Sequence, residues 1–326
     1  MARSGGNAAS AGGSGARPTS ILAVVALAVV LVAALVGVDL LVLSRNNPAQ
    51  ALAPHYYMAL GDSLSFGYQP NLDFSSGFAD DIFNDLHFVD VTGIVNYACP
   101  GETTDTFIHG GCVGRFAHHG SYTGAQLTAA VDFLKKEANR GHVSPITLEL
   151  GSNDVLPDWD PSTCSASPNV DIDLARMDDN LTKVILPRLL DALQSRTNAN
   201  NGDLHLLNYY NPYAKACPDS AHFVHTLNDH LAADAAQFKI PVVDVYGAFG
   251  GDANMAANIC NYTWICDSRL PDSHPTNTGY KIIAKAVELA LGLPGMGPLP
   301  GAGVPAPAGD RSAPEAAVWQ RAAGAV

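Results

Sequence analysis

From Tyr56 onward the chain alternates short apolar runs with longer amphipathic stretches, and that rhythm admits few architectures. The runs Tyr57 to Leu60, Val89 to Tyr97, Ile146 to Leu150, Leu204 to Tyr209 and Val242 to Val245 read as strands. Stretches near residues 75–86, 124–140, 171–195, 221–238 and 277–291 read as helices. Strands with a helix between each pair call for a five-stranded parallel sheet with right-handed crossovers, covered by helices in a three-layer α/β sandwich. The chain has 326 residues, 47% of them hydrophobic, enough for one sizeable core and placing that core at residues 55–293.

The segments outside this core have a different character. Residues 1–19 are rich in Gly, Ser and Ala without an apolar period and read as a disordered cytoplasmic tail. From Ile21 to Val38, eighteen residues carry no charge, about 27 Å as a helix and close to the thickness of a bilayer core. Residues 20–43 are therefore expected to enter or cross a membrane, with 44–54 as a linker. A helix apolar on every face beside a disordered tail has no protein core to enter. Arg3 and Arg17 precede the run and only Arg45 follows it before Arg115, which keeps the amino terminus inside and exports the body. The length favours a retained anchor; small-residue sites at Ala49-Gln50-Ala51 and Ala51-Leu52-Ala53 leave cleavage and secretion as the alternative. Residues 294–326 are crowded with Pro, Gly and Ala and read as a second disordered tail.

The formal charge is −13, and the body between the two end segments carries all of the excess acid. Such a surface repels phosphate backbones and speaks against a nucleic-acid partner. Six cysteines, Cys99, Cys112, Cys164, Cys217, Cys260 and Cys266, are an even number in an exported chain, which favours disulfides. Fifteen pairings of six cysteines exist. Loop closure is cheapest between near neighbours, so the expected bridges are Cys99–Cys112, Cys164–Cys217 and Cys260–Cys266. A zinc site is disfavoured, because there is no Cys-x-x-Cys pair and His109, His118 and His119 make no recognised ligand spacing. No cofactor or metal is expected, and the body is expected to be a monomer.

In a parallel sheet the loops at the carboxyl ends of the strands converge on one crevice. The first strand ends in Gly61-Asp62-Ser63, which places a serine there. Taken alone it is as readily a helix-capping serine. The second is followed by Cys99-Pro100-Gly101-Glu102, where a glycine lets the backbone approach a ligand, or simply makes a loop. The third ends in Gly151-Ser152-Asn153-Asp154, where a side-chain amide can donate hydrogens, or merely close a turn. The fourth element, Pro271-Asp272-Ser273-His274-Pro275, sets a histidine just before the last helix. His205, His222, His225 and His230 fall on strand and helix faces, where a structural histidine is the ordinary case.

At these four places the chain resembles the SGNH (GDSL) hydrolase family, whose blocks supply a serine, a glycine, an asparagine and a histidine in this order. The resemblance covers roughly residues 55–291. The three expected disulfides and Trp264-Ile265-Cys266 look most like the secreted actinobacterial esterase and lipase branch. It implies a flavodoxin-like fold and cleavage of carboxylic esters, with Ser63 as nucleophile, His274 as general base, and the N–H groups of Ser63 and Gly101 with the Asn153 amide as oxyanion hole. The implied substrate is a small-molecule, lipid or acylated-sugar ester. The same residues also serve an extracytoplasmic acyltransferase or a carbohydrate acetylesterase, and a surface binding module that has kept the fold is a third reading.

The family's usual aspartate stands three residues before the histidine, where this chain has Pro271. Two acceptors for the histidine Nδ1–H remain open: the carboxylate of Asp272 and the carbonyl of Pro271. Pocket walls are expected by position from the Cys99 to Cys112 loop and from Leu156 to Val170. Phe66, Phe107, Trp159 and Trp264 are apolar candidates that are as readily core.

Overall fold

Tyr57, Met58, Ala59 and Leu60 are buried side by side, so their strand is covered on both faces, as a central parallel strand must be. The computed structural model describes residues 55–87, 91–112, 120–136, 139–193 and 203–293. The expected tails, linker and membrane segment, together with His118 and His119, lie outside these residues. Among the described residues no helix is long and apolar enough to cross a membrane.

Five parallel strands form the sheet: β1 (His55–Gly61), β2 (Val91–Asn96), β3 (Val143–Glu149), β4 (Leu204–Leu207) and β5 (Val242–Val243). They lie in the order β2-β1-β3-β4-β5, each pair parallel. All five runs read from the sequence are strands, with ends moved by a few residues. The chain leaves β1 toward one edge, returns, and builds toward the other edge from β3. Right-handed crossovers in both directions put the connecting helices on opposite faces and open a crevice between the carboxyl ends of β1 and β3.

The longer helices are α1 (Phe78–Leu86), α2 (Gln126–Lys135), α3 (Val170–Asn180), α4 (Leu186–Ala192), α5 (Ser220–Gln237), α6 (Gly251–Tyr262) and α7 (Asn277–Ala290), and all but α6 follow the expected places. Helix α1 packs on α7, and α2 on α4. The stretch read as one helix over 171–195 is α3 and α4 joined by a π-turn, Leu181–Ile185. That wide turn stands before Pro187, whose ring excludes the carbonyl four residues back. Helix α6 had no counterpart in the sequence reading, although Met255, Ile259 and Tyr262 bury one face at helical spacing. The three disulfides join the expected partners, Cys99–Cys112, Cys164–Cys217 and Cys260–Cys266.

Two buried acids between helices give the fold a pH dependence. Burial, with the neighbouring Asp85 on α1, pushes Glu288 of α7 up to about 8. Burial, with the charge of Asp178 on α3, pushes Asp234 of α5 up to about 7. Both groups bind a proton more tightly folded than unfolded, so their contribution to stability is lost as pH rises through about 7 to 8. The melting temperature is expected to be higher at pH 5.5 than at pH 8.5, read by circular dichroism at matched ionic strength. A higher value at pH 8.5 would contradict this assignment.

Candidate active site

Strand β1 ends at Gly61, whose φ of +128° lies in the region that favours glycine; a Cβ there would fall 1.7 Å from the carbonyl oxygen of Glu149 on β3. The side chain of Gln126 bonds both backbone groups of Gly61, at 2.7 and 3.0 Å, as another strand would. The chain then turns into a single helical turn, Ser63–Phe66. Its cap is Asp62, whose Oδ1 accepts from the Leu64 N–H at 2.9 Å. Ser63 is therefore not the capping residue; it stands in the first turn, where backbone N–H groups have no partner within the helix.

The Ser63 hydroxyl donates to Nε2 of His274 at 2.7 Å. Nδ1–H of His274 donates to Oδ1 of Asp272 at 2.5 Å, and the His274 backbone N–H donates to the same oxygen at 2.7 Å. Of the two acceptors open in the sequence, the Asp272 carboxylate is the one brought to the ring. A backbone N–H bonding a carboxylate two residues back is an Asx turn, and it folds the short Asp272 side chain over the imidazole. Burial raises the Asp272 pKa, but the His274 ring and backbone N–H groups outweigh it and hold the carboxyl below its ordinary value. Ser63, Asp272 and His274 are only 7%, 4% and 8% exposed. A carboxylate on Nδ1–H leaves Nε2 bare to accept the serine proton.

Glu102 N–H donates to Cys99 O at 3.0 Å, closing a turn with Pro100 second and Gly101, at φ +80°, third. Proline and then a left-handed glycine are the requirements of a type II turn. Asn153 follows β3 in the short helix Ser152–Val155. Its Nδ2 donates to Asp62 Oδ2 at 3.1 Å and to the carbonyl of Glu102 at 3.0 Å. Both hydrogens thus have acceptors before any substrate arrives. Asp62 Oδ2 also accepts from Ser152 Oγ at 2.8 Å.

Asp154 ties the loop after β3 to the loop after β2: its oxygens accept from the Thr104 N–H at 2.9 Å and the Thr104 hydroxyl at 2.7 Å. Burial raises its pKa to about 6, against those two bonds. Beneath the site Glu149 is fully buried, and burial together with the charge of Asp62 holds its carboxyl well above the ordinary range. Gln126, Asp154 and Glu149 were not singled out in the sequence. The nearest signal was Asp154, adjacent to Asn153.

Ser63, Asn153 and His274 line one cleft of about 210 Å³. Leu156, Pro157, Trp159 and Pro161 form one wall, as expected from position. The Cys99 to Cys112 loop, the other expected wall, contributes no described residue to the lining; the second wall comes instead from Tyr210, Pro212 and Tyr213 after β4. Phe66 and Phe107 are core, and the Trp264 indole N–H donates to Gln69 at 3.2 Å, away from the cleft. His205 is buried in β4, where burial lowers its pKa, while His225 and His230 bond Asp252 and Asp178. They and His222 stay outside the cleft lining.

The sequence model of the GDSL-like Lipase/Acylhydrolase family matches residues 59–282, a span that begins within β1 and runs into α7. The chain belongs to this family. Among solved structures, the GDSL-like chain is similar to a lipase from a goat rumen metagenome, at 19% identity over 75% of this chain and 99% of that one, with a TM-score of 0.48. It is also similar to Axe2, an acetylxylan esterase from Geobacillus stearothermophilus, at 15% identity over 73% and 94% with a TM-score of 0.46. A third is TesA, at 19% identity over 73% and 98% with a TM-score of 0.44. Comparison with curated proteins gives no match. The family's Gly-Asp-Ser block is Gly61-Asp62-Ser63 here, at the carboxyl end of β1.

Proposed function

We propose that this GDSL-family chain hydrolyses carboxylic esters through an acyl-enzyme on Ser63. The observation that carries the reading is the unbroken hydrogen-bond chain from Ser63 Oγ through His274 to Asp272, with Ser63 and His274 lining a cleft free of Asp, Glu, Lys and Arg. In the first half-reaction Ser63 Oγ attacks the ester carbonyl while Nε2 of His274 takes its proton, then gives it to the leaving alcohol. In the second, water attacks the acyl-enzyme with His274 again as base. Asp272 holds the ring in the working tautomer and stabilises the imidazolium.

The oxyanion falls to the N–H groups of Ser63 and Gly101 and to Nδ2 of Asn153. Because the asparagine hydrogens are already bonded to Asp62 and Glu102, the substrate oxygen competes with the Glu102 carbonyl for one of them. Asp62, through its bond to the other, keeps the amide pointed at the site. Removing one such donor costs about a hundredfold or more in turnover. Asn153→Ala is therefore expected to lower kcat at least about a hundredfold with KM little changed and the circular dichroism spectrum intact. Near-normal kcat in that variant would remove Asn153 from the oxyanion hole.

The three disulfides suit an oxidising compartment and support placing this body outside the cytoplasm. The activity is tested with purified protein and a chromogenic short-chain ester, with and without a polysaccharide acceptor. Free acid accumulating in both cases is the expected result. Acylated sugar accumulating with the acceptor would make the enzyme an acyltransferase, and no turnover would leave a binding module.

A further inference from the structure

The cleft beside Ser63 is lined without a single Asp, Glu, Lys or Arg, although the body of the chain carries a large acidic excess. Its aromatic walls also have few polar groups left to offer. The Tyr210 hydroxyl donates to the carbonyl of Ser273 at 2.7 Å, and that of Tyr213 to the carbonyl of Leu156 at 3.2 Å. The indole N–H of Trp159 is buried away from the open space, and the Tyr209 hydroxyl is buried facing Glu149 and Ser152. A sugar needs hydrogen-bond partners for each hydroxyl it buries, and these walls present hydrocarbon and ring faces instead.

The two walls are also joined to each other. The ring of Trp159 stacks on that of Tyr213, with centroids 6.1 Å apart and planes 29° from parallel. The Tyr213 hydroxyl bonds across to Leu156, and the disulfide Cys164–Cys217 ties the loop after Trp159 and Pro161 to the loop after Tyr213. Ring contact, hydrogen bond and covalent bridge together fix the cleft width. Its volume of about 210 Å³ is many times the roughly 10 to 15 Å³ that one small group such as a water needs, so an acetyl group would leave most of it empty.

From this we infer that the cleft is the seat of an apolar acyl chain of medium length, held between the Leu156–Trp159 and Tyr210–Tyr213 walls while it is bound to Ser63. The inference rests on the ester-hydrolase reading and goes beyond it by naming the acyl class. It sets the enzyme apart from one that removes acetyl groups, for which such a cleft has no use. Leu156, a partly buried lining residue beside Pro157, is then a specificity-determining residue.

The test is a panel of p-nitrophenyl esters from acetate through butyrate, hexanoate and octanoate to palmitate, beside acetate esters of alcohols from methyl to octyl. Burying each methylene is worth about fourfold. In the panel kcat/KM is expected to climb at least tenfold from acetate to hexanoate or octanoate and to fall again by palmitate, with little dependence on alcohol length. In Leu156→Trp, with the melting temperature checked, the octanoate-to-acetate ratio is expected to drop at least tenfold, because the larger ring fills the cleft. Highest kcat/KM on acetate, a dependence on alcohol rather than acyl length, or an unchanged ratio in Leu156→Trp would each overturn the inference. No turnover of any ester, acetate included, would instead remove the ester-hydrolase reading and this inference with it.

Discussion

Ser63→Ala is expected to lower ester turnover by a factor on the order of 10⁶ while leaving the melting temperature within a few degrees of the parent. The size follows from how the three residues act: when nucleophile or base of such a set is removed, almost all of the chemistry goes at once, because neither works without the other. The structural cost is small. Ser63 Oγ makes its hydrogen bond to His274 rather than to the core, and the turn it sits in is capped by Asp62 and closed by Gly67. His274→Ala should match it in size, and the double variant should lose little more than either single one. A stopped-time assay sensitive to slow turnover, run beside thermal unfolding, checks this. Residual activity of a few per cent in Ser63→Ala would mean that another group carries the attack.

The second large effect concerns Asp272. Asp272→Ala is expected to lower kcat by about 10⁴, in line with what loss of the carboxylate costs when nucleophile and base remain. Asp272→Asn should lose at least tenfold less than Asp272→Ala. In the parent, Oδ1 accepts from both the ring Nδ1–H and the backbone N–H of His274. That backbone N–H holds an asparagine oxygen in the same place, so the tautomer survives and only the charge facing the imidazolium is lost. The rank order Asp, Asn, Ala in kcat distinguishes this arrangement from one in which the main chain orients the ring. In the latter case both variants would lose only a few fold.

The strands were legible because a parallel sheet buried on both faces imposes near-continuous apolar runs, as in Tyr57 to Leu60 and Ile146 to Leu150. The candidate residues Ser63, Gly101, Asn153 and His274 stood out for a related reason: each follows a strand or precedes a helix, and in a sheet of this order the strand ends meet at the switch between β1 and β3. The sequence named Asp272 as one acceptor for the His274 ring but did not separate it from the Pro271 carbonyl. Whether a side chain two residues before His274 reaches its ring depends on the dihedral angles of Pro271 to Ser273, and the Asx turn that settles it leaves no mark in spacing. Helix α6 was missed because Gly, Asn and Ala dominate Gly251 to Tyr262, hiding the three apolar residues that form its buried stripe. The second cleft wall was missed because Tyr210, Pro212 and Tyr213 acquire their role only when the loop after β4 meets the loop after β3. Nothing local sets that meeting. The disulfides followed from chain separation alone, since near neighbours close the cheapest loops.

The central claim is that Ser63 is an activated nucleophile, and labelling by a fluorophosphonate reads it most directly. The reagent needs a serine whose proton is taken by a neighbouring base, so it reports the Ser63–His274 pair without requiring that the natural ester be known. Intact-mass analysis of purified protein after treatment should show one adduct, and peptide mapping should place it on Ser63. Ser63→Ala should take up none, and His274→Ala should label far more slowly. An unlabelled parent protein, or an adduct that persists in Ser63→Ala, would contradict the account.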